Sequence, residues 1–215
     1  MAETSILAIA ALSMFISGSA TLLASAVGVP AGAFLGTREF RGRRMLRAFL
    51  HALYGLPPVL LGLLLYLTLS KSGPLSALGW LFTVEGMILA QFLLILPFIT
   101  GLTMSAIVEI DPALKDTART LGAEGWAYLR TLIREARPGV MAAVMVGFGR
   151  AISEVGAVIL VGGNIRGETQ VLTTAIIEET TKGNFATAVG LGLILLAISI
   201  FVFAALTLVQ ERGAK

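Results

Sequence analysis

Five long apolar stretches, each with at most two charged residues, limit what this sequence can fold into. A helix needs about 20 apolar residues to cross a hydrocarbon core of roughly 30 Å, so each stretch is long enough to span a membrane. Hydrophobic residues make up 56% of the 215 residues and charged ones only 13%, which is the composition of a polytopic membrane protein. We predict an all-α fold with a single transmembrane domain over residues 1–215 and about five spans, at 7–35, 48–69, 81–108, 139–161 and 186–209.

Composition also excludes several classes of function. The chain has no cysteine, which removes disulfides, thiolate chemistry and Cys-based metal sites. Its net charge of +3 comes from loops in which the basic residues lack interleaved aromatic residues, so no nucleic-acid partner is expected. No G-x-x-x-x-G-K-[ST] motif occurs, so the chain has no phosphate-binding loop for ATP. We expect neither an enzymatic activity nor a cofactor. The segment MAETSILAIA has no basic residue before its apolar run and does not have the pattern of a cleaved signal peptide.

Basic residues lie mainly on one side of the predicted spans. Of the 16 Lys and Arg residues, twelve fall between the first two spans, in the loop 109–138 or in the tail that holds Arg212 and Lys215, and three fall in the other loops. Loops rich in Lys and Arg stay in the cytoplasm. The N-terminus is therefore predicted outside, and the loop 109–138 and the C-terminus in the cytoplasm, with the chain in the inner (cytoplasmic) membrane.

The loop 109–138 is the one long polar interval, and its pattern predicts two short helices. Asp111 can cap free backbone N–H groups, and Pro112 suits the first position of a helix. Gly122 can end that helix in the left-handed conformation without a Cβ clash. The expected element is a helix–Gly–helix unit on the water side of the membrane.

Apolar residues give this unit a face for a partner. Leu114, Ala118 and Leu121 stand at i, i+4 and i+7, which predicts one apolar stripe on the first helix. The second helix carries Trp126 and Leu129 on one face. Because Ala118 is small, we expect it to seat in a groove of the partner.

Small residues and prolines mark the spans. Gly28, Gly32 and Gly36 are spaced four apart, which allows close approach of helix backbones in lipid. The contact is either packing within the chain or a dimer interface, and the sequence does not decide between them. Prolines predict bends at Pro30, Pro57-Pro58 and Pro97.

Two ionisable residues fall inside the predicted fourth span. Arg150 and Glu154 stand at i and i+4, where they share a helix face and can pair. Arg150 lies about 18 Å along the helix from Pro138, near mid-bilayer, where charged groups face protein or a cavity. The pair either lines the translocation path or locks two helices together. Beyond this span, Thr169, Thr173 and Thr174 follow an external turn and could offer hydroxyl donors to an anion.

The loop also carries a motif of a known family. Asp116-Thr117-Ala118, followed after three residues by Gly122, resembles the EAA loop of ABC importer permeases, with Asp-Thr where Glu-Ala is usual. In that family the loop forms the coupling helix that docks on a cytoplasmic ATPase. The resemblance assigns the coupling role to Asp116, Thr117, Ala118, Arg119, Leu121, Gly122 and Ala123.

A second stretch narrows the resemblance. The run from Gly149 to Gly163, with SEVGAV and GGNI, is similar to permeases for molybdate and tungstate, and the flanking EIDPALKDTARTLGA and TTAIIEETTKGNFA look most like the tungstate type. The similarity covers roughly residues 10 to 210. It implies a MetI-like fold, a homodimer, two P-loop ATPase subunits below and an external oxyanion-binding protein above. The residues assigned to the path or its gate are Arg150, Glu154, Gly156 and Asn164.

The sequence leaves other cargoes and other classes of membrane protein open. Molybdate is the alternative cargo. An ion-coupled secondary transporter is the alternative class, although such carriers usually show more intramembrane carboxylates than Glu85 and Glu154, and the sequence has no convincing internal repeat. A third reading is an assembly subunit that does not itself transport.

Overall fold

The computed structural model describes residues 5–212, so residues 1–4 and 213–215 of the predicted domain lie outside it. Within the described range every regular element is a helix, which confirms the all-α prediction. A short 3₁₀ turn occupies Ser76–Leu78. The α-helices are α1 (Ile6–Thr37), α2 (Arg43–Leu53), α3 (Pro58–Leu69), α4 (Val84–Val108), α5 (Pro112–Thr120), α6 (Gly125–Glu135), α7 (Arg137–Ile152), α8 (Gly156–Gly162), α9 (Leu172–Thr181) and α10 (Phe185–Arg212).

Membrane-spanning candidates fall into two kinds. Helices α1, α4 and α10 are each long and apolar enough to cross a bilayer. The pairs α2–α3 and α7–α8 are bent by 92° and 56°, so the described residues hold three spans, or up to five if each bent pair is one span. The chain is thus a multi-pass membrane protein. Its predicted orientation stays a prediction, and Lys215 lies outside the described residues.

The range 48–69 is bent at Pro57-Pro58, as these prolines predict, and its first helix begins earlier than the predicted span. Helix α2 begins at Arg43, and the structure breaks before Pro57 and Pro58. Each proline disfavours helical geometry in the residue before it, and Pro58 then starts α3 as its first residue. No residue of α2 is buried, so α2 is a surface helix that leads into α3.

Pro30 and Pro97 do not break their helices. Each lies inside a continuous helix, α1 and α4 respectively, so the bends predicted from these two prolines do not appear as helix ends. The two helices pack against each other along much of their length. Each helix stays continuous although its proline removes one backbone hydrogen bond.

The glycine stripe of α1 makes that packing possible. A Cβ added to Gly32 would stand 2.4 Å from the carbonyl oxygen of Thr100, and one added to Gly36 would stand 2.8 Å from the Ile107 side chain. Both contacts are within one chain. Of the two readings left open by the sequence, the structure shows intrachain packing.

The polar loop is attached at the end of this helix pair. Ala118 of α5 and Leu132 of α6 are buried in one apolar cluster with Ile107 of α4 and Ala33 of α1. Val140 joins the same cluster from α7. The loop is therefore packed against the ends of three membrane helices.

We predict that Gly32→Ala destabilises the fold and Gly18→Ala does not. The added methyl group at position 32 must push α1 away from α4, an overpacking cost of about 1–3 kcal/mol, whereas nothing lies within 4 Å of a Cβ at Gly18. The thermal unfolding midpoint of the two variants in detergent checks this. Equal midpoints would show that the close contact does not determine stability.

Candidate functional site: the polar loop and the bundle interior

The first helix of the loop begins as the sequence predicts. Asp111 is the N-cap of α5, and its Oδ1 accepts a hydrogen bond of 2.8 Å from the Ala113 N–H. Pro112 occupies the first helical position, where its missing N–H costs nothing. The start of α5 is therefore fixed by local interactions alone.

The helix ends at Gly122 in a tight turn. Gly122 has φ of +82°, the left-handed conformation predicted for it. The Ala123 N–H donates to the Ala118 carbonyl at 3.0 Å, and the Gly122 N–H donates to the Arg119 carbonyl at 2.9 Å. This is the Schellman pattern of bonds. No atom lies within 4 Å of a Cβ at Gly122, so the requirement for glycine is conformational and not one of space.

The apolar stripe predicted for α5 divides between two environments. Ala118 is only 7% exposed and packs into the core, while Leu121 is 82% exposed. Leu121 lies beyond Thr120, the last helical residue, and so leaves the stripe. Ala118 must be small because it packs against its own chain, and its side chain is not presented to a partner.

The surface of the loop is formed by other residues of the motif. Leu121 and Trp126 flank Gly122 and are both exposed, and we call the segment from 121 to 126 the exposed turn. On α5, Asp116 forms an exposed ion pair with Arg119 at 3.5 Å. Thr117 is exposed, and its hydroxyl bonds to the Ala113 carbonyl. Ala123 is half-buried under the turn.

Arg150 and Glu154 do not form the pair that their spacing predicted. Helix α7 ends at Ile152, and Glu154 lies in the 56° bend before α8. Its buried Oε1 accepts a hydrogen bond of 2.9 Å from the Ala157 N–H at the start of α8. Within residues 5–212 no ion pair joins the two side chains, so this prediction is wrong. The carboxylate caps a helix instead.

Arg150 contacts an aromatic group that the sequence analysis did not identify. Its guanidinium carbon lies 5.8 Å from the centroid of Phe98, and the Tyr54 ring stacks on Phe98 at 4.5 Å. The buried Nε of Arg150 and the hydroxyl of Tyr54 have no hydrogen-bond partner in the described part of the chain. Tyr54 stands at the α2–α3 break, and its position beside Pro57-Pro58 was the one sequence signal available. Here α4, α7 and the α2–α3 break meet.

Gly156 and Asn164 hold the backbone around the bend. A Cβ on Gly156 would stand 2.6 Å from the Val59 side chain, so α8 needs glycine there to approach α3. Asn164 has φ of +51°, and its Nδ2 donates to Glu178 at 2.9 Å. These residues shape the backbone near the interior and do not themselves project a free charge.

Glu178 is the centre of a polar network that sequence reasoning missed. Its carboxylate accepts hydrogen bonds from Lys182, Arg166, Asn164 and Gln170. The Lys182 ammonium, helped by Arg166 and Asn164 and opposed by burial, lowers the pKa of Glu178 from 4.5 to about 2. The network fastens α9 to the turn that follows α8.

The three threonines of this segment are bonded internally. Thr169 donates to the Gly162 carbonyl at 2.6 Å, Thr173 to the Glu154 carbonyl at 2.9 Å, and Thr174 caps α9 through Val171. All three are buried. Their hydroxyl hydrogens are already used within the chain, so they do not form the open set of donors expected from the sequence.

Known proteins are similar to this chain in sequence. A family model described as the binding-protein-dependent transport system inner membrane component matches residues 28–214. A probable anion ABC transporter permease protein of Haloferax volcanii is 40% identical over 200 residues, which cover 91% of this chain and 86% of that protein. The tungstate uptake system permease protein TupB of Peptoclostridium acidaminophilum is 40% identical over 201 residues, with 94% and 88% covered.

The fold has a counterpart of known structure. A chain of the methionine ABC transporter MetNI, solved in inward-facing conformations, matches with a TM-score of 0.77 at 18% identity. The match covers 95% of this chain and 94% of that one. The MetI-like fold predicted from the motifs is confirmed.

We predict that Glu178→Gln weakens the attachment of α9. In the wild type, the stabilisation from Glu178 is fully present above its ordinary pKa of 4.5 and is lost as the pH falls through about 2. The variant should have a lower thermal midpoint at pH 7, and the difference should shrink below pH 4.5. Glu168→Gln, at an exposed carboxylate of the same segment, is the control. A Glu178→Gln midpoint equal to that of the control would contradict the network's role.

Proposed function

Because the chain belongs to the family of inner membrane components of binding-protein-dependent transport systems, we propose that two copies of it form the path of an ABC importer for an oxyanion. The resemblance drawn from the sequence is confirmed at the level of the family. The names of the relatives, an anion permease and a tungstate permease, support an oxyanion as cargo and tungstate as the first choice. Molybdate is the second candidate, since the external binding protein selects the cargo.

Family membership favours an ATP-driven importer over the other readings of the sequence. An ion-coupled carrier would use intramembrane carboxylates, but the one at Glu154 accepts a backbone hydrogen bond at the bend. ATP hydrolysis belongs to separate cytoplasmic subunits in this proposal, and the chain itself is not an enzyme. Cargo reaches it from an external binding protein.

The observation that carries the proposal is the exposed turn on a rigid base. Leu121 and Trp126 present apolar surface to water, which isolated soluble loops avoid and docking sites use. Their base is buried, because Ala118 and Leu132 pack against Ile107 at the end of α4. A partner that grips the turn therefore displaces α4, and through Ala33 and Val140 it displaces α1 and α7 as well.

Alternating access follows from this connection. Closure of two ATPase subunits on ATP brings the two exposed turns together, and the two permease copies rock so that the path opens outward. Hydrolysis resets them. The proposal takes the orientation predicted from the basic loops, with the N-terminus outside and the exposed turn in the cytoplasm.

Within each copy, Arg150 is the residue we propose to contact the anion. It is the one cation of the predicted spans, its Nε has no partner within residues 5–212, and it lies over Phe98 where three elements meet. Glu154, Gly156 and Asn164 act as positioning residues, because they fix the α7–α8 bend and the turn after it.

Leu121→Asp should separate docking from folding. The charge removes apolar contact at the centre of the proposed interface, and a loss of about 1.4 kcal/mol or more lowers binding at least tenfold. Co-purification of the ATPase and ATP-dependent tungstate uptake into proteoliposomes should both fall, while the yield of folded permease stays the same. Leu78→Asp, at an exposed leucine on the predicted outer side, is the matched control.

Ala118→Trp, in contrast, should lower the yield of folded permease. The Trp side chain has no space in the core, so the variant should lose the fold as well as ATPase binding. Normal uptake by Leu121→Asp would refute docking at the exposed turn.

A further inference from the structure

Tyr54 joins the break between α2 and α3 to α4. The residue follows the last residue of α2 and precedes Pro58, which begins α3, and the two helices meet at 92°. Its ring stacks on Phe98 of α4, with centroids 4.5 Å apart and planes within 12° of parallel. Its buried hydroxyl has no hydrogen-bond partner in the described part of the chain.

The Tyr54 hydroxyl lies against the backbone of α4 at Gly101. A Cβ added to Gly101 would stand 2.1 Å from the Tyr54 Oη and 3.1 Å from its Cζ, so this position of the ring requires glycine at 101. Gly101 follows Phe98 by three residues and therefore shares a face of α4 with it. The one side chain is thus held at two points of α4. We call Tyr54, Phe98 and Gly101 the aromatic joint.

The hydroxyl of Tyr54 acts through its size. Buried hydroxyl groups are normally paired, and phenylalanine would form the same stack without leaving an unpaired donor. What the hydroxyl adds is the close contact with Gly101. It fills the space that the missing Cβ leaves on α4, so the end of α2 fits α4 in one position.

Helix α2 itself is attached to α4 less firmly than Tyr54 is. No residue of α2 is buried. Its side-chain hydrogen bond to α4, from Arg47 to the Ser105 hydroxyl, is exposed and 3.4 Å long. Water competes for such a bond, so its net contribution is small. The aromatic joint is therefore the contact that makes the α2–α3 break follow α4.

The aromatic joint also supports Arg150. The guanidinium carbon of Arg150 lies 5.8 Å from the centroid of the Phe98 ring. Because the Tyr54 ring is stacked on Phe98, it fixes the orientation of the ring over which the guanidinium lies. Tyr54 acts on Arg150 through Phe98 and is a positioning residue.

We propose that the aromatic joint transmits the movement of α4 to the α2–α3 break and to the surroundings of Arg150 during transport. The proposal rests on the proposed function, in which the ATPase displaces α4 from the exposed turn. With the joint intact, α4 carries the break and the support of Arg150 with it. Without the joint, α4 moves alone, and ATP is hydrolysed while the anion is not passed on.

The test measures tungstate taken up per ATP hydrolysed by the complete permease–ATPase complex in proteoliposomes, with the external binding protein present. Gly101→Ala should lower this ratio about tenfold, since the added methyl group collides with the Tyr54 hydroxyl. ATPase co-purification and ATP hydrolysis should stay at wild-type levels. Ser105→Ala removes the exposed hydrogen bond one turn further along the same face of α4 and should keep the wild-type ratio.

A double variant tests the contact itself. Gly101→Ala combined with Tyr54→Phe moves one methyl-sized group from the ring to α4, and Cζ of the ring at 3.1 Å becomes the nearest neighbour of the new methyl group. The ratio should return to that of Tyr54→Phe alone. Tyr54→Ala removes the ring without overpacking α4 and should lower the ratio as Gly101→Ala does, which keeps the test informative if Gly101→Ala fails to fold.

Three outcomes would overturn the aromatic joint. The first is a wild-type ratio in Tyr54→Ala. The second is a double variant no better coupled than Gly101→Ala. The third is a parallel fall of folded yield, ATP hydrolysis and uptake in Tyr54→Ala, which would leave the residue a purely structural role.

The aromatic joint and the proposed function fail separately. A wild-type complex without ATP-dependent uptake would overturn the proposed function. Wild-type uptake together with an unchanged ratio in Tyr54→Ala would overturn the joint alone. Leu121→Asp should release the ATPase, whereas the joint variants should retain it.

Discussion

The close contact between α1 and α4 is the constraint on which the rest of this structure depends. Gly32 lets the α1 backbone reach the Thr100 carbonyl, and Gly36 admits the Ile107 side chain. In lipid, where apolar surface gains nothing by leaving water, helices associate through such van der Waals contact. The contact also fixes the ends of both helices, and those ends form the base of the polar loop 109–138 through Ala33 and Ile107.

Side-chain packing connects the exposed turn to α4 and, through Phe98, to Arg150. The exposed turn is held to its base by the Schellman bonds at Gly122 and by the buried Ala118. Force applied there reaches α4, and on the other side of α4 Phe98 touches both Tyr54 and Arg150. A displacement at the turn thus changes the surroundings of the one cation inside the predicted spans. In the proposed mechanism, this packing is the route by which closure of the ATPase would reach an anion in transit.

The sequence predicted the helix caps and turns, which depend on neighbouring residues. It did not predict which face of a helix is buried or where a helix bends. Asp111, Pro112 and Gly122 behave as predicted because caps and turns depend on neighbouring backbone alone. Periodicity placed Ala118 and Leu121 on one stripe, but it cannot say which side faces the core or that the helix ends before Leu121. The Arg150–Glu154 pair failed for a related reason, since a hydropathy run does not reveal the bend at which Glu154 caps α8. Tyr54 and Glu178 act through contacts with residues well separated in the sequence, Phe98 and Asn164 respectively, which one sequence without relatives does not show.

The most direct test of the central claim uses the absence of cysteine in the chain. Leu121→Cys introduces a single thiol on the exposed turn, which is labelled with a maleimide–benzophenone crosslinker in the assembled complex. Illumination should give one adduct, with the mass of permease plus ATPase, that disappears when the ATPase is omitted, and a membrane-impermeant maleimide added outside intact cells should not react. Labelling from outside, or no adduct with the ATPase, would contradict the account.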